Sequence, residues 1–175
     1  MASLLSLVLL VNYFMLVPFS ELAETSKVWI YQANRTFTTD ELVDITRKLD
    51  DFMTEWAAHG VGLKAGYDIQ YNRFITFAVD TDHQTATGCS IDSSVRFIQD
   101  LEKEYNVDLL DKMNVSFKNG EFVAYKNLVD FRKMVKNRSV SANTIVFNNL
   151  VTTKAEYLSD WEVPMSESWH SRFLK

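Results

Sequence analysis

Apolar and polar residues alternate along the chain with two different periods, which predict a succession of strands and helices. The segment 27–35, "KVWIYQANR", is rich in β-branched and aromatic residues and predicts a strand. A helix is predicted next, because Thr38 and Glu41 match a capping box and apolar residues then recur every three or four positions as far as Trp56. Gly60 lies just past the end of the predicted helix and is typical of such a position.

A second set of signals predicts two more strands and another helix. The segments 67–71, "YDIQY", and 73–80, "RFITFAVD", predict two strands joined by a tight turn around Asn72. Apolar residues at helical spacing then predict a helix over about 91–105, and Ser90 is expected to be its N-cap. The order up to this point is β-α-β-β-α.

The rest of the chain predicts a hairpin followed by short elements. In the segment 114–126, the pair Asn119-Gly120 favours a two-residue type I′ turn, which places Lys118 opposite Glu121. Three further elements are predicted from apolar spacing and caps: a helix over about 127–137, a short strand over 144–150 and a last helix from Thr153 to Trp161.

The first six predicted elements, β-α-β-β-α-β, match the ferredoxin-like arrangement, in which an antiparallel sheet carries two helices on one face. The remaining elements form a C-terminal hairpin and helix extension. A length of 175 residues and an apolar content of 47% are enough for one sizeable core. We therefore predict a single α+β domain over residues 15–175.

The segment 3–17 is strongly apolar and leaves three interpretations of the N-terminus open. The first Lys or Arg of the chain is Lys27, so the basic region that begins a signal peptide is missing. Met15 is therefore a candidate start, with residues 1–14 as an upstream extension. The alternatives are a signal or membrane anchor and a packed N-terminal helix. We expect a cytoplasmic protein, or an exported or membrane-anchored one if residues 1–17 act as a signal.

The charge balance and the cysteine count restrict the classes of function. The net charge is −5 and the pI is about 5.2, which argues against binding to nucleic acid. The same charge argues against an anionic membrane surface as a partner of residues 15–175. A single cysteine forms no internal disulfide, which favours the reducing cytosol. We predict no cofactor, and as partner a protein or a small-molecule ligand that the sequence does not identify.

The cysteine lies in "ATGCSIDSSV", residues 86–95, at the start of the second predicted helix. Free N–H groups at a helix start attract anions and stabilise a thiolate. The candidates for an anion or ligand site are Gly88, Cys89, Ser90, Ser93 and Ser94, and Cys89 is also a candidate catalytic thiol. The alternative is structural, with a turn at Gly88, a cap at Ser90 and Cys89 as a small buried residue.

The segment 79–85, "VDTDHQT", contains candidate metal ligands. Asp80, Asp82 and His83 follow an apolar strand, and two carboxylates with an imidazole are acceptable ligands for a divalent metal. An ordinary solvated loop is the alternative.

Other polar residues are predicted to be structural. His59 ends the first predicted helix and His170 lies in the C-terminal segment, and the sequence places neither of them near Cys89. A basic run predicts a solvated helix face: Lys126, Arg132, Lys133, Lys136 and Arg138.

Four segments together resemble a family of uncharacterised Bacteroidota proteins often labelled "ABC transporter ATPase": "VWIYQANR", "GCSIDSSVRFI", "TIVFNN" and "WEVP…SWH". The likeness runs from about Met15 to the C-terminus and implies a chain that begins near Met15. A transporter ATPase needs G-x-x-x-x-G-K-[ST] to bind phosphates, and none of the five glycines supplies it. In "GVGLKAG" the glycines and Lys64 stand in the wrong order. We therefore expect no ATP hydrolysis.

Two hypotheses for function follow. The first is a domain that binds a partner or a small ligand without turnover, because one core is predicted and no complete catalytic set of residues is visible. The second is a small enzyme, or an anion-binding site, built on the loop from Asp80 to Ser94. The sequence leaves open whether the protein is an enzyme.

Overall fold

The computed structural model describes residues 15–57, 64–81 and 88–175, except for the side chains of residues 15 and 88–90. The chain divides into two compact units, Met1–Leu109 and Leu110–Lys175. The single domain expected over residues 15–175 stays a prediction. The extension expected over residues 1–14 lies outside the described residues. Within the described ranges, no helix has the length and apolar character needed to cross a membrane.

The described part of the first unit contains a four-stranded sheet of β1 (Met15–Leu16), β2 (Lys27–Gln32), β3 (Lys64–Gln70) and β4 (Phe74–Asp80). Their order across the sheet is β1-β3-β4-β2. β4 pairs antiparallel with both β2 and β3, and β1 pairs parallel with β3. Tyr71 and Asn72 have φ values of 55° and 50° between β3 and β4, which confirms the tight turn expected there.

Two α-helices belong to this unit in its described part, α1 (Thr39–Trp56) and α2 (Gly88–Tyr105), together with a short 3₁₀ turn, Phe19–Glu21. The capping box of α1 is confirmed. The Thr38 side chain accepts from the Glu41 N–H at 3.3 Å, and the Glu41 carboxylate accepts from the Thr38 N–H at 2.8 Å. The helix end expected near Gly60 lies outside the described residues. One apolar stripe of α1 is buried: Ile45, Leu49, Met53 and Trp56.

Aromatic side chains join both helices to the same face of the sheet. Phe77 of β4 lies against Phe52 of α1 and Phe97 of α2, with ring centroids 5.8 Å and 6.3 Å away. Phe52 and Phe97 stack on each other at 4.3 Å. Because β2 and β3 lie on either side of β4 and run parallel to each other, the unit has the split β-α-β arrangement of the ferredoxin-like fold. The α+β class, with helices packed on a sheet, is confirmed.

The strand after α2 belongs to a second sheet and not to the first. β5 (Asn114–Asn119) pairs on one edge with β6 (Phe122–Asn127) and on the other with β7 (Ile145–Phe147). With β8 (Glu162–Pro164), the described strands of this sheet have the order β6-β5-β7-β8. We expected β5 to complete the first sheet, and the structure corrects this. In a ferredoxin-like sheet, β5 would pair with β2. Both edges of β5 are already paired with strands of its own unit, so this pairing does not form.

The hairpin turn differs from the expected one by one residue. Asn119 pairs with Phe122, so Gly120 and Glu121 are the two central residues. Gly120 has a φ of 62°, and Glu121 has no positive φ. A positive φ at the first central residue alone is typical of a type II′ turn. The type I′ turn and the pairing of Lys118 with Glu121 are therefore wrong predictions.

Helices α3 (Leu128–Lys136) and α4 (Lys154–Asp160) lie close to the ranges predicted for them. The capping box of α4 is confirmed, because Thr153 and Glu156 exchange hydrogen bonds between side chain and backbone. β8 is followed by two short 3₁₀ turns, Met165–Glu167 and Trp169–Leu174.

The core of the second unit surrounds Phe131 of α3. This side chain is fully buried and lies 5.4 Å from the ring of Phe117 on β5. The buried cluster draws on the hairpin, α3, β7 and the C-terminal segment: Val115, Phe117, Phe131, Val140, Val146 and Met165. Phe173 packs against the same cluster, so the last 3₁₀ turn is attached to α3.

Candidate anion-binding pocket

The site predicted at Cys89 lies at a helix start that differs from the expected one. α2 begins at Gly88, so Cys89 and Ser90 lie within its first turn. An N-cap precedes the first helical residue, and the prediction that Ser90 is the N-cap is therefore wrong. The side chains of these three residues lie outside the described part of the chain. The anion-site and reactive-thiol hypotheses for Cys89 stay predictions.

The other two serines of that predicted site are described. Ser94 is buried, and its hydroxyl donates to the Ile91 carbonyl at 2.7 Å. Ser94 also forms a side-chain hydrogen bond with Tyr31, whose pKa is raised by burial and lowered to a lesser extent by this bond. Because of these two hydrogen bonds, the Ser94 hydroxyl is engaged within the protein. Ser93 is half-buried.

The candidate metal ligands fall mostly outside the described residues. Asp80 is half-buried at the end of β4, and Asp82 and His83 are not described. Within the described ranges, no group of three or more His, Cys, Asp or Glu side chains could hold a metal ion. The metal site at Asp80, Asp82 and His83 stays a prediction.

His59 lies outside the described residues, and His170 is buried. The Ser168 oxygen accepts from the His170 N–H at 3.1 Å and lies 2.7 Å from Nδ1 of the same residue. Burial, and then the charge of Arg172, lower the pKa of His170 to about 4. The ring is therefore neutral at pH 7, and its Nδ1 shares a hydrogen bond with the Ser168 hydroxyl. This pair caps the 3₁₀ turn Trp169–Leu174.

A pocket of about 700 Å³ lies in the second unit, between the end of α3 and the C-terminal turn. Of the described residues that line it, five are Lys or Arg and none is Asp or Glu. These basic residues are Arg132, Lys136, Arg138, Arg172 and Lys175. The other lining residues are Val135, Val140, Ser141, Phe173 and Leu174. We call this cavity the basic pocket.

The end of α3 forms one rim of the basic pocket and has the hydrogen bonds of a Schellman motif. The Arg138 N–H donates to the Val135 carbonyl at 3.0 Å, and the Ser139 N–H donates to the Met134 carbonyl at 2.8 Å. The residue after the C-cap adopts the left-handed conformation in this motif, and Arg138 has a φ of 58°. Glycine is usual at that position, because a Cβ atom makes the conformation unfavourable. Arg138 therefore holds a strained backbone at the pocket rim.

Two arginines of the basic pocket are oriented by aromatic rings. The Arg132 guanidinium lies over the ring of Phe173, 5.6 Å from its centre. Arg172 lies 5.1 Å from the ring centre of Trp169, and its Nε donates to the Trp169 carbonyl at 3.1 Å. Stacking on a ring orients a guanidinium without neutralising its charge.

The charge of the basic pocket is not offset by neighbouring carboxylates. Among the described residues, no Asp or Glu forms an ion pair with its five basic side chains, whereas Lys133 on the same helix pairs with Asp130 at 2.9 Å. The sequence shows a matching imbalance. Residues 110–175 contain ten Lys and Arg against seven Asp and Glu, and residues 1–109 contain eight against 16. An anion that enters the pocket therefore meets an excess of positive charge.

The dipole of α3 explains part of this arrangement. Lys136 and Arg138 lie at the helix C-terminus, where cations interact favourably with the last carbonyl groups. Arg172 and Lys175 belong to the C-terminal segment, and the α3 dipole gives no reason for them to line the same cavity. The meeting of two basic segments around one cavity makes this pocket a candidate ligand site.

The basic pocket has the chemistry of binding and lacks the usual catalytic groups among its described residues. Ser141 supplies a hydroxyl and Lys136 and Lys175 supply amines, but the described lining contains no His, Cys, Asp or Glu to activate them. The apolar part of the wall consists of Val135, Val140, Phe173 and Leu174. A ligand in this pocket therefore contacts both cations and apolar surface.

The prediction that the basic run is solvated is confirmed, because all five of its residues are exposed. Arg132, Lys133 and Lys136 lie on α3, whereas Lys126 belongs to β6 and Arg138 follows the helix. The prediction gave no indication of the basic pocket. A partial signal was present, since Arg132 and Lys136 are four residues apart and lie on one face of α3. Arg172 is distant in sequence, and no local pattern connects it with the basic run.

No protein-family model, curated protein or solved structure matches the chain. The resemblance to the Bacteroidota family stays a prediction. The geometry and charge of the basic pocket are therefore the observations from which we propose a function.

Proposed function

We propose that the protein binds an anionic small molecule in the basic pocket and does not transform it. The observation that carries this proposal is the set of five Lys and Arg side chains around one cavity, with no Asp or Glu among the described lining residues. Guanidinium and ammonium groups donate charge-assisted hydrogen bonds to oxyanions, and these are among the stronger hydrogen bonds in proteins. The described lining contains no His, Cys, Asp or Glu to activate its Ser hydroxyl or Lys amines, which supports binding without turnover.

A small ligand suits the basic pocket better than a polymer does. Nucleic acids bind along extended basic surfaces, whereas these cations surround a cavity of small-molecule size. We also propose a cytoplasmic location, which the single cysteine supports. Membership of the Bacteroidota family, without ATP hydrolysis, is part of the same proposal.

Isothermal titration calorimetry of the full chain with inorganic pyrophosphate at low ionic strength tests the proposal. Lys136→Gln removes one cation of the basic pocket, and we expect it to weaken binding about tenfold, which is the order of one charge-assisted hydrogen bond. Lys133→Gln is the matched control, because it makes the same charge change on the same helix outside the described lining. We expect it to weaken binding by less than about twofold.

The two variants separate a specific site from general attraction to positive charge. An equal loss of affinity in both variants, or no pyrophosphate binding by the wild type, would overturn the proposal. The alternative on the loop from Asp80 to Ser94 is tested in the same titration with Ser90→Ala. If Ser90→Ala weakens binding and Lys136→Gln does not, the anion binds at the start of α2.

A further inference from the structure

We infer that the ligand of the basic pocket is an organic phosphate, whose phosphoryl group contacts the basic side chains and whose apolar body packs against Phe173 and Leu174. This inference deepens the proposed function and rests on it. Three properties of the pocket support it, namely its charge, its size and the composition of its wall.

The charge around the basic pocket exceeds what a single carboxylate neutralises. Three of its five cations are arginines, whose planar guanidinium groups bind phosphate through two parallel hydrogen bonds. Arg132 and Arg172 are already oriented by stacking, so a ligand needs to order fewer side chains when it binds. A phosphate monoester carries about −1.5 to −2 charges at pH 7 and three acceptor oxygens. It therefore matches a cluster of cations better than a carboxylate does.

The basic pocket is too large for an inorganic anion alone. Its volume of about 700 Å³ falls within the range of about 300–1,000 Å³ that is typical of sites for small organic ligands. A water molecule occupies about 30 Å³ of the liquid, and a phosphate ion is only a few times larger. Free phosphate leaves most of the pocket to solvent, whereas a ligand that fills it has an organic body as well.

One wall of the basic pocket offers apolar surface to such a body. The ring of Phe173 is held by Phe131 and Trp169, which meet it edge to face with ring centroids 6.4 Å and 5.7 Å away. Leu174 is 39% exposed beside it. A ligand body that covers Phe173 and Leu174 removes this surface from water, which stabilises the complex.

Three hydrolytically stable probes test the inference by isothermal titration calorimetry of the full chain. Methylphosphonate and phenylphosphonate share an anionic head and differ in the apolar body, whereas benzoate keeps the ring and carries one carboxylate. We expect phenylphosphonate to bind about tenfold more tightly than methylphosphonate, because its ring buries apolar surface. We expect a similar advantage of about tenfold over benzoate, because the phosphonate head has more charge and more oxygens.

The substitution Leu174→Asn removes part of the apolar wall of the basic pocket and leaves its five cations in place. We expect it to reduce the affinity ratio of phenylphosphonate to methylphosphonate by about threefold or more, with the affinity for methylphosphonate unchanged. The matched control is Leu158→Asn, an exposed leucine of α4 outside the described lining, which should leave the ratio unchanged. Phe173→Leu is a second variant that keeps an apolar side chain, and it should lower the ratio because the flat ring is lost.

The possible results distinguish this inference from the proposed function. Equal affinities for methylphosphonate and phenylphosphonate would overturn the inference that the ligand has an apolar body. Equal affinities for phenylphosphonate and benzoate would overturn the inference that its head is a phosphate. In both cases anion binding stands if Lys136→Gln weakens it. An unchanged ratio in Leu174→Asn and Phe173→Leu would place the ring outside the basic pocket. Failure of all three probes and of pyrophosphate to bind would overturn both proposals.

Discussion

Arg138 occupies a backbone conformation that favours glycine, at the point where α3 ends. Its φ of 58° costs an ordinary residue about 1–2 kcal/mol relative to the right-handed conformation. The hydrogen bonds of the Schellman motif hold Arg138 and Ser139 in this geometry. Arg138 is therefore a destabilising residue at the rim of the basic pocket. The proposed anion site gives a reason for it, because there the side chain would serve the ligand and not the fold.

Arg138→Gly is expected to raise stability and to weaken binding. Glycine accepts the positive φ without steric cost but loses more entropy on folding, so we expect a net gain of up to about 1 kcal/mol in the free energy of unfolding, measured in urea. Pyrophosphate binding should weaken about tenfold, because one cation is lost. Arg138→Ala is the control, since it removes the charge and keeps the strain, and it should weaken binding without the gain in stability. Unchanged pyrophosphate affinity in both variants would exclude Arg138 from the site.

Features of single residues such as these leave little trace in a sequence. The basic run correctly predicts a solvated position for Arg138, but no neighbouring residue type indicates its positive φ. Serine is a preferred cap residue, so the sequence predicts an N-cap at Ser90, yet α2 begins two residues earlier at Gly88. In both cases the residue type permits several local conformations, and packing beyond the nearest neighbours selects one of them.

The start of α1 is an element boundary that the sequence predicts correctly, because its determinants are local. Thr38 and Glu41 lie within one turn and exchange hydrogen bonds. The structure adds a contact that the pattern does not show, since Nη1 and Nη2 of Arg35 each donate to a Glu41 carboxylate oxygen at 2.8 Å. Glu41 therefore closes the capping box and accepts an ion pair at the same time.

Glu41→Gln tests the contribution of this ion pair to the stability of the first unit. Hydrogen bonds from Arg35, and then from the Thr38 backbone, lower the pKa of Glu41 from 4.5 to about 2. Because this pKa is lower in the folded state, the ionised carboxylate stabilises the fold above about pH 4.5 and loses this contribution as the pH falls to about 2. Glutamine retains the cap and loses the charge. Urea denaturation should show a less stable variant at pH 7 and equal stability near pH 2, whereas a difference independent of pH would contradict the ion pair's role.

The pairing of strands is only partly predictable from the sequence. The hairpin at Gly120 is local and is predicted, but its register is shifted because type I′ and type II′ turns both favour glycine. The placement of β5 in the second sheet depends on its contact with β7, which lies later in the chain. A pattern of alternating residues predicts a strand and does not indicate which edge it joins.

At the scale of the whole molecule, the net charge conceals a segregation of charges. The total of −5 argues against anionic partners, but the segment 110–175 has a net charge of +3 and residues 1–109 have −8. The basic pocket also depends on two segments that meet only in the folded second unit, because Arg132 to Arg138 and Arg172 are separated in the sequence. The class of the fold is therefore predictable from local periodicity, whereas this candidate site requires the tertiary structure.

The acid stability of the protein provides a test of how the C-terminal turn is held in place. His170 is 1% exposed, and its ring stacks on Trp169 at 3.9 Å and meets Phe131 at 5.9 Å. Burial, and then the charge of Arg172, lower the pKa of His170 from 6.5 to about 4. The unfolded chain therefore takes up a proton near pH 6.5 and the folded chain only near pH 4, so stability is lost as the pH falls between these values and not above them.

His170→Asn should abolish this loss, because the asparagine amide does not titrate and offers both a hydrogen-bond donor and an acceptor to Ser168. We expect the variant to be less stable than the wild type at pH 7, since it loses the packing of a buried ring. As the pH falls from about 6.5 to about 4, the wild type should lose on the order of 1–3 kcal/mol that the variant does not lose, and the two stabilities should converge. Urea denaturation followed by tryptophan fluorescence measures this difference, because Trp169 stacks on the ring. Parallel pH profiles of the two proteins would mean that His170 is protonated as readily in the folded state as in the unfolded chain. The conclusion that its buried ring is neutral down to about pH 4 would then be wrong.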